Sequence, residues 1–525
     1  MKRIILDGIV CDPFDVKKKG ETAAILSSLP CSHSVVPSSI TIIKRSIDAR
    51  KKNSVIWRYR IACDVEDAAA AELLKDGAEE YIPDTVEIIT KKQTGASVIV
   101  VGTGPAGLFC ALRLAAYGIH VSVIERGKPV EERHADIEKI RREGMLDPES
   151  NVLFGEGGAG TYSDGKLTTR IHKPHIEWVF ARLAEHGAPP EILYDAKPHV
   201  GTDILSAVVA SMRKQLIADG HSVFFGEKMT GLIVKNGEVK GIRCSSGREY
   251  FADAVVCATG HSARDTYDML QTEGVRMEKK GFAAGMRIEH PAEFINRAQY
   301  GNFSECMPAA DYRLTYNDEK TKRGVYSFCM CPGGEVVNSS SEPGMLCVNG
   351  MSRNRRDLPR SNAAIVVSIH PEDIAGGPMD AVAFQRSIER RAYDMGGGGF
   401  MSPAQSAADF IAGKESLRIP ESISYMPGCA PGRLDRLYPE WMTMPLKNGL
   451  RQFDRMIRGF CQEGILIGAE TRTSSPVRIV RDESMQSVSV KRLYPAGEGA
   501  GYAGGIVSSA VDGIRCAEAI ASSLI

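Results

Sequence analysis

Residues 97–107 read Ser97-Val98-Ile99-Val100-Val101-Gly102-Thr103-Gly104-Pro105-Ala106-Gly107. The first five residues are apolar on both faces, which is typical of a central strand in a parallel sheet. A helix is predicted over residues 106–117, ended by Gly118, and a second strand over residues 119–124. Together these pieces predict one βαβ unit.

Each glycine of this loop has a predicted task. Gly102 permits the tight turn after the strand, Gly104 lets the backbone approach a diphosphate, and Gly107 allows close helix–strand packing. Pro105 and Ala106 begin the helix, whose free N–H groups favour an anion. The spacing therefore predicts a dinucleotide site, and the alternative is a glycine-rich structural turn.

An acid at the end of the second strand supports the dinucleotide interpretation. Glu125 lies 18 residues beyond Gly107 and is followed by Arg126. A carboxylate at this position accepts hydrogen bonds from an adenosine ribose and repels a 2′-phosphate. FAD or NAD is therefore predicted rather than NADP.

The composition limits the classes of protein to which this chain can belong. Its 525 residues predict two or three domains, and 43% hydrophobic with 25% charged residues is typical of globular proteins. Lys+Arg and Asp+Glu both number 65, so no long-range field favours nucleic acid or an anionic membrane. The basic stretch 44–52 is interpreted as a solvated face. We expect a small-molecule substrate, and no particular oligomeric state is predicted.

The N-terminus and the cysteines predict a cytoplasmic protein. Residues 1–15 lack the long apolar region of a signal peptide. The apolar stretch 97–124 is interrupted by glycines, a proline and an arginine, which favours a buried strand and helix over a membrane span. Thirteen cysteines, spaced unlike a structural zinc site, predict reduced thiols and no metal site.

A C-terminal segment resembles the second FAD fingerprint of glutathione-reductase-like flavoproteins. Residues 493–506 read Leu493-Tyr494-Pro495-Ala496-Gly497-Glu498-Gly499-Ala500-Gly501-Tyr502-Ala503-Gly504-Gly505-Ile506. The resemblance implies that Glu498, after Gly497, contacts the ribitol. It also implies that Gly504, Gly505 and Ile506 begin a helix at the flavin N1–C2=O edge, where a helix N-terminus stabilises an anionic reduced ring. The strand end Ala258-Thr259-Gly260 resembles the strand that closes the FAD domain in the same superfamily.

Further segments resemble signatures of an uncharacterised family of bacterial FAD-dependent dehydrogenases. They are residues 154–167, 260–265, 326–334 and 470–478. The first reads Phe154-Gly155-Glu156-Gly157-Gly158-Ala159-Gly160-Thr161-Tyr162-Ser163-Asp164-Gly165-Lys166-Leu167. The resemblance covers almost the whole chain and implies an α/β fold with a Rossmann-type, glutathione-reductase-like FAD-binding domain. An inserted α+β substrate domain and a small N-terminal α+β domain complete the expected architecture.

The expected domain boundaries follow the same division. The N-terminal domain is expected over residues 1–92 and the first part of the FAD-binding domain over residues 93–280. The inserted substrate or cap domain is expected over residues 281–425, and the C-terminal part of the FAD-binding domain over residues 426–525.

The resemblance also implies cofactor contacts in the glycine-rich segment. Lys166 would neutralise a phosphate or the reduced flavin, with a surface lysine as the alternative. The residues expected beside the flavin and its phosphates are Gly157, Gly158, Ala159, Gly160, Thr161 and Ser163. No histidine stands in this loop, unlike the corresponding loop of succinate-dehydrogenase-like relatives, so FAD is expected to be bound noncovalently.

The catalytic candidates are His261, Arg472 and Arg478. His261 follows the Ala-Thr-Gly strand end and is a candidate acid–base, with a polar loop residue as the alternative. Arg472 and Arg478 flank hydroxyl side chains and suit a carboxylate or phosphate, with structural ion pairs as the alternative.

Three other residues are weaker candidates. Arg287 is a second candidate for binding an anion. Cys329 and Cys331 lie two residues apart in a strand-like segment, so their side chains are expected on opposite faces. Packing is therefore favoured for them over a redox role.

The predicted function is an FAD-dependent dehydrogenase or reductase that moves a hydride between flavin N5 and an unidentified small substrate, with an anionic group as one candidate feature. The sequence contains no second strand–GxGxxG–helix unit, so NAD(P)H as an electron donor would bind transiently. Otherwise the organic substrate supplies the hydride. Two alternatives stay open: a flavoprotein that modifies or binds RNA, and a redox-sensing flavoprotein whose N-terminal domain recruits a protein partner.

Overall fold

A computed structural model describes residues 1–29, 35–82, 95–169 and 175–524. The strands in chain order are β1 (Lys2–Cys11), β2 (Thr41–Asp48), β3 (Ile56–Val65), β4 (Glu79–Glu80), β5 (Ser97–Val101), β6 (His120–Ile124), β7 (Ser222–Phe224), β8 (Met229–Lys235), β9 (Glu238–Cys244), β10 (Glu249–Phe251), β11 (Ala254–Cys257), β12 (Met277–Lys279), β13 (Phe282–Pro291), β14 (Thr315–Asn317), β15 (Gly324–Cys331), β16 (Gly334–Asn338), β17 (Val348–Ser352), β18 (Arg360–Ile369), β19 (Ser402–Ser406), β20 (Cys429–Pro431), β21 (Ile465–Glu470), β22 (Val477–Ile479) and β23 (Leu493–Pro495).

The α-helices in chain order are α1 (Pro13–Lys19), α2 (Glu21–Ser27), α3 (Asp67–Lys75), α4 (Pro105–Ala116), α5 (Val130–Glu143), α6 (His175–Glu185), α7 (Thr202–Ala218), α8 (Arg264–Thr272), α9 (Ala292–Tyr300), α10 (Pro378–Met395), α11 (Ala407–Ala412), α12 (Glu440–Met456), α13 (Phe460–Glu463) and α14 (Ile506–Leu524). Within these described ranges, no helix is both long and apolar enough to cross a membrane.

The N-terminal region forms a four-stranded antiparallel sheet in the order β2-β3-β1-β4. Tyr59 and Ile61 of β3 are buried while Arg58 is exposed, so one face of the strand packs against the core. Ala70 of helix α3 is buried in the core formed with this sheet. The expected end of this domain, residue 92, lies outside the described residues.

A five-stranded parallel sheet carries the predicted βαβ unit. Its order is β7-β6-β5-β11-β23, and every neighbouring pair is parallel. In β5, Val98 and Val100 pack against helices α4, α7 and α14, whereas Ile99 and Val101 pack against the three-stranded sheet β10-β9-β8. The strand is therefore buried on both faces, and the predicted α/β fold is confirmed.

The strand order reverses between β5 and β11, and ligands in such sheets bind beyond the carboxyl ends of the strands at this point. Gly102 directly after β5 has φ +101°, and a Cβ there would lie 2.4 Å from the Ala258 carbonyl oxygen. Gly513 of α14 would bring a Cβ to 2.0 Å from the Ala106 oxygen. Close backbone contacts of this kind hold the phosphate loop, strand β11 and two helices together.

A seven-stranded mixed sheet forms the second large core. Its order is β14-β15-β18-β13-β21-β19-β20, with one parallel pair, β19 and β20. Strand β21 lies next to β13 in its centre, so the chain leaves this sheet only after Glu470. Strand pairing in this sheet thus continues beyond residue 425, where the inserted domain is expected to end, because it joins residues distant in sequence. Helix α14 begins at Ile506, within the segment 504–506 where a helix start is expected.

Helix α12 covers one face of the seven-stranded sheet. Its buried positions include Met442, Leu446, Leu450 and Phe453, which recur at helical spacing. A Cβ at Gly449 would lie 2.5 Å from Val325 Cγ1, so the helix backbone packs directly on β15. Burial of this apolar stripe stabilises the contact between helix and sheet.

The change Leu450→Ala is expected to lower the free energy of unfolding by about 2–5 kcal/mol, because Leu450 is fully buried and its removal leaves a cavity. Urea unfolding followed by circular dichroism measures this loss. Leu417→Ala is the matched control, since Leu417 is 98% exposed. Equal midpoints for the two variants would contradict the packing described for α12.

Candidate functional site

A cavity of about 1540 Å³ opens at the switch point of the parallel sheet. Ligand pockets are commonly about 300–1000 Å³, so this one can hold more than one small ligand. Residues of the phosphate loop, of the strand end after β11 and of the start of α14 form its dinucleotide end. The predicted cofactor-binding residues that line it are Gly102, Gly104, Pro105, Ala106, Glu125, Arg126, Gly158, Ala159, Gly160, Ser163, Lys166, Ala258, Thr259, Gly260, Glu498, Gly504, Gly505 and Ile506.

Four predicted cofactor residues lie behind this lining and support it. A Cβ at Gly107 would lie 1.9 Å from the Gly102 oxygen, as its helix-packing task predicts. A Cβ at Gly157 would lie 1.9 Å from Thr161 Oγ1, and one at Gly497 would lie 2.6 Å from Ala106 Cβ. Thr161 is fully buried and donates its hydroxyl to the Glu156 carbonyl oxygen at 3.2 Å.

Two glycine backbones face each other across the dinucleotide end. The nearest heavy atom to a Cβ at Gly104 is Gly158 Cα, at 4.0 Å. Helix α4 begins at Pro105, directly beside this pair. Only backbone atoms and a helix N-terminus therefore face the point where the sequence predicts a diphosphate, with no side chain between them.

Glu125 connects three backbone segments. One carboxylate oxygen accepts hydrogen bonds from Thr103 N at 2.9 Å and Thr103 Oγ1 at 2.6 Å. The other accepts from Gly127 N at 2.9 Å and Gly155 N at 3.1 Å. The side chain is 5% exposed, so these four bonds compensate the burial of its charge. This clamping role was not predicted from the sequence, and contact with a ribose stays a prediction.

One buried arginine side chain holds the glycine-rich loop. Arg133, fully buried, donates to the carbonyl oxygens of Asn151, Val152, Glu156 and Gly158 at 2.6–2.9 Å. The loop conformation therefore depends on one guanidinium from α5.

Arg126 is likewise engaged with protein partners. It pairs with Glu149 at 2.7 Å and with Asp265 at 2.9 Å, and its guanidinium lies 4.1 Å from the Phe154 ring centroid. Since Arg126 also lines the cavity, its position is set before any ligand binds.

Glu498 is another carboxylate that lines the cavity. Burial raises the pKa of Glu498 to about 7, although the cation of Lys280 opposes the shift. Helix α14 begins at Ile506, eight residues later, and Gly504 and Gly505 precede it. The acid and the helix start predicted from the C-terminal fingerprint thus line the same cavity.

The structure separates the three predicted catalytic residues. His261 lines the cavity, and burial together with Arg472 and Arg264 lowers its pKa to about 3, so its ring is uncharged at neutral pH. Arg478 does not line the cavity; it pairs with Glu278 at 3.2 Å and lies over the Tyr502 ring.

Arg472 reaches the cavity lining, but its nitrogens donate to protein groups. They bond both carboxylate oxygens of Glu389 at 2.9 and 2.8 Å and Ser341 Oγ at 2.6 Å. Arg264 binds the same carboxylate at 2.8 Å. Burial opposes ionisation of Glu389, but the two arginines outweigh it and lower its pKa. This geometry corresponds to the structural ion pair that the sequence left open as an alternative.

We call the other part of the cavity the outer chamber. Its lining includes Trp57, Lys166, Tyr312, Phe328, Cys329 and Glu470. Lys166 Nζ lies 3.5 Å from Asp164, whose carboxylate is bound by Arg356 and Ser352 Oγ. The chamber therefore combines aromatic surface with charged groups from the glycine-rich loop and the seven-stranded sheet.

Glu470 is a residue of this chamber that the sequence analysis did not single out. It ends the central strand β21 and is 2% exposed, with Arg287 Nε at 2.6 Å from its Oε2. Burial raises the pKa of Glu470 to about 7, and Arg287 opposes the shift. The sequence signal for this position is an acid that closes the apolar run 465–469.

The cysteine pair differs from the regular strand that the sequence predicts. Pairing between β15 and β18 shifts register between Phe328 and Cys331, and Cys329 adopts φ +40°. Cys329 is open to the cavity and Cys331 is buried, although both line it. Surrounding protein raises the pKa of the Cys329 thiol to about 12, so the thiol is protonated at neutral pH.

The N-terminal sheet contributes to the outer chamber. Arg45 of β2 pairs with Asp195 at 2.6 Å, and its backbone bonds Tyr194 and Ala196 at 2.9 Å. Trp57 of β3 lines the chamber beside it. Arg45 belongs to the basic stretch 44–52, which the sequence analysis interprets as a solvated face. That interpretation is wrong for this residue, because its side chain joins the N-terminal sheet to Asp195.

Two protein families and several known proteins match long segments of this chain. Residues 96–299 match the family described as pyridine nucleotide-disulphide oxidoreductase, and residues 281–473 match the family described as FAD-dependent protein, C-terminal domain-like. A digeranylgeranylglycerophospholipid reductase of Haloferax volcanii is 25% identical over 244 residues, 46% of this chain and 52% of that protein. The FAD-bound glycerol-3-phosphate dehydrogenase structure from Bacillus halodurans covers 83% of this chain and 66% of its own, with 10% identity and a TM-score of 0.36.

A much nearer relative spans almost the whole chain. An uncharacterised protein of Clostridium beijerinckii is 47% identical over 492 residues, which cover 92% of each chain. The family predicted from the sequence signatures is confirmed. With its Rossmann-type sheet, its two matched families and this relative, the chain belongs to a family of FAD-dependent oxidoreductases.

Proposed function

We propose that this FAD-dependent oxidoreductase acts on an organic anion with an apolar body, bound in the outer chamber. The observation that carries the proposal is a single cavity that joins the dinucleotide end to this chamber. Bound FAD supplies hydride exchange at N5. The protein supplies the cradle, the chamber and the charges that orient the substrate.

The residues of the dinucleotide end fit FAD. The facing backbones of Gly104 and Gly158, together with the start of α4, would hold the diphosphate. Glu125 would face the adenosine ribose and Glu498 the ribitol. The start of α14 would stabilise negative charge at the flavin N1 edge. The absence of a histidine from the glycine-rich loop favours noncovalent binding.

The charges of the outer chamber favour an anionic substrate. Lys166, Arg356 and the underlying Arg287 give three cations, against the carboxylates of Asp164 and Glu470. The net charge of these five side chains is +1 when Glu470 is ionised and +2 when Glu470 is neutral. We therefore assign the orientation of the anion to Lys166 and Arg356 rather than to Arg472 and Arg478. Uncharged His261 offers a hydrogen bond at the cavity wall.

The change Gly104→Ala is expected to raise the Kd for FAD by about tenfold or more, roughly 1.4 kcal/mol, because the new methyl group occupies the diphosphate approach. Folding should be kept, since the nearest protein atom to that Cβ is 4.0 Å away. Fluorescence titration of apoprotein with FAD measures the Kd. Gly95→Ala, which also meets no atom within 4 Å, is the control, and equal affinities for both variants would argue against the assigned cradle.

NADH or NADPH is expected to bleach the flavin absorption within seconds when mixed anaerobically with the FAD-loaded protein, through a transient encounter at the open cavity. Stopped-flow absorbance near about 450 nm records this reduction. If neither nucleotide bleaches a flavin that dithionite still reduces, the organic substrate is the hydride donor. Purified protein that neither contains FAD nor rebinds it would refute the proposed function.

A further inference from the structure

The loop that carries Glu498 is held from behind by an ion pair that does not line the cavity. Asp512 of α14 and Arg481, which follows β22, pair through both carboxylate oxygens, at 2.6 and 2.9 Å. Their side chains are 6% and 8% exposed. A bidentate pair of this kind has a defined geometry, so it can fix the position of other groups that bind to it.

Asp512 binds the backbone directly before Glu498. The Gly497 N–H donates to Asp512 Oδ2 at 2.7 Å. Gly497 has φ +75°, and a Cβ there would lie 2.6 Å from Ala106 Cβ at the start of α4. The next residue of α14, Gly513, would bring a Cβ to 2.0 Å from the Ala106 oxygen. Asp512 therefore joins the Glu498 loop to α14 at the point where α14 packs on the start of α4.

Arg481 contacts both ends of the same loop. It donates from Nη1 to the Pro495 oxygen at 2.7 Å, and its guanidinium carbon lies 3.7 Å from the Tyr502 ring centroid. Its backbone N–H also donates to the Tyr502 hydroxyl at 3.1 Å. Between these contacts the loop closes on itself, since the Gly501 N–H donates to the Glu498 carbonyl oxygen at 2.9 Å. The loop conformation therefore depends on Arg481 as well as on its own backbone.

The backbone directly after Glu498 also has a buried partner. Tyr267 of α8 is fully buried and donates its hydroxyl to the Gly499 oxygen at 2.7 Å. By contrast, the Glu498 carboxylate lines the cavity and accepts no hydrogen bond from the part of the chain that the structure describes. The backbone on both sides of this acid is thus fixed, while its carboxylate stays available to a ligand.

We propose that Asp512, held in place by Arg481, is a positioning residue that fixes the Glu498 carboxylate for hydrogen bonds to the ribitol of FAD. The assignment rests on the proposed function, in which Glu498 faces the ribitol. Removing the cation from a buried ion pair leaves an uncompensated charge, so Asp512 keeps its position only with Arg481 beside it. A binding group whose own position is fixed loses less freedom when the ligand binds, and the affinity rises accordingly.

The test is a double-mutant cycle between Asp512→Ala and Glu498→Ala, with the Kd for FAD as the readout. Each full-length variant is stripped of flavin and titrated with FAD, followed by fluorescence. Asp512→Ala alone is expected to raise the Kd by about tenfold, because Glu498 is no longer held in place. In the Glu498→Ala background the same change is expected to alter the Kd by less than about twofold, since the group that it positions is gone.

Two further variants separate positioning from general support of the fold. Asp512→Asn should keep the Kd within about threefold of the wild-type value, because its amide oxygen can still accept from the Gly497 N–H. Arg323→Gln is the matched control, since Arg323 and Asp373 form a bidentate pair with both side chains 13% exposed, and neither lines the cavity. This control should lower the unfolding temperature without changing the Kd.

Arg481→Gln takes the place of Asp512→Ala in the cycle if the latter does not fold. It leaves Asp512 in the chain but removes the guanidinium that holds it. The rise in Kd that it causes should likewise depend on Glu498, because Arg481 acts on the cofactor only through this acid.

Several results would overturn the assignment. They are an unchanged Kd in Asp512→Ala or in Glu498→Ala, an equal rise of the Kd in both backgrounds, or a Kd in Asp512→Asn as high as in Asp512→Ala. The wild-type titration separates the two proposals. Wild-type protein that binds reducible FAD while the cycle fails loses only the positioning role of Asp512, whereas wild-type protein that does not bind FAD loses the proposed function.

Discussion

The dinucleotide end depends on one buried carboxylate. Glu125 accepts four hydrogen bonds from the phosphate loop, from the turn after β6 and from the glycine-rich loop. An unpaired carboxylate at 5% exposure would be very costly, so these segments are stable only when they close around it together. Arg133 applies the same constraint from the other side, since its guanidinium binds four carbonyl oxygens of the loop region.

The outer chamber is assembled by contacts between sheets rather than within one of them. Arg264 of α8 and Arg472 after β21 share the carboxylate of Glu389 on α10, which ties the parallel sheet region to the seven-stranded sheet. Arg45 ties the N-terminal sheet to Asp195. Such buried or half-buried ion pairs contribute more to fixing relative position than to stability, because their desolvation offsets much of the attraction.

Local pattern accounts for what could be predicted of the fold and the site. The apolar strand 97–101, the loop glycines and the helix after them lie in one continuous segment, so the sequence predicts their conformation directly. The C-terminal acid Glu498 and the start of α14 were also identified by short-range spacing. Local pattern did not predict the pairing of β21 with the seven-stranded sheet, since this strand joins the sheet from a distant part of the chain, beyond the boundary expected at residue 425.

The sequence by itself determined the βαβ unit, the cofactor class and the family. These depend on residues a few positions apart in the chain, and the types of those residues set the local backbone conformation. Only the tertiary structure decided which charged side chains reach the cavity. Glu470 and Arg472 line it whereas Arg478 does not, and the first two differ in partner, Arg287 for Glu470 and Glu389 for Arg472. Burial and partner choice arise from packing between distant strands, and those long-range contacts set the charge and pKa of each group.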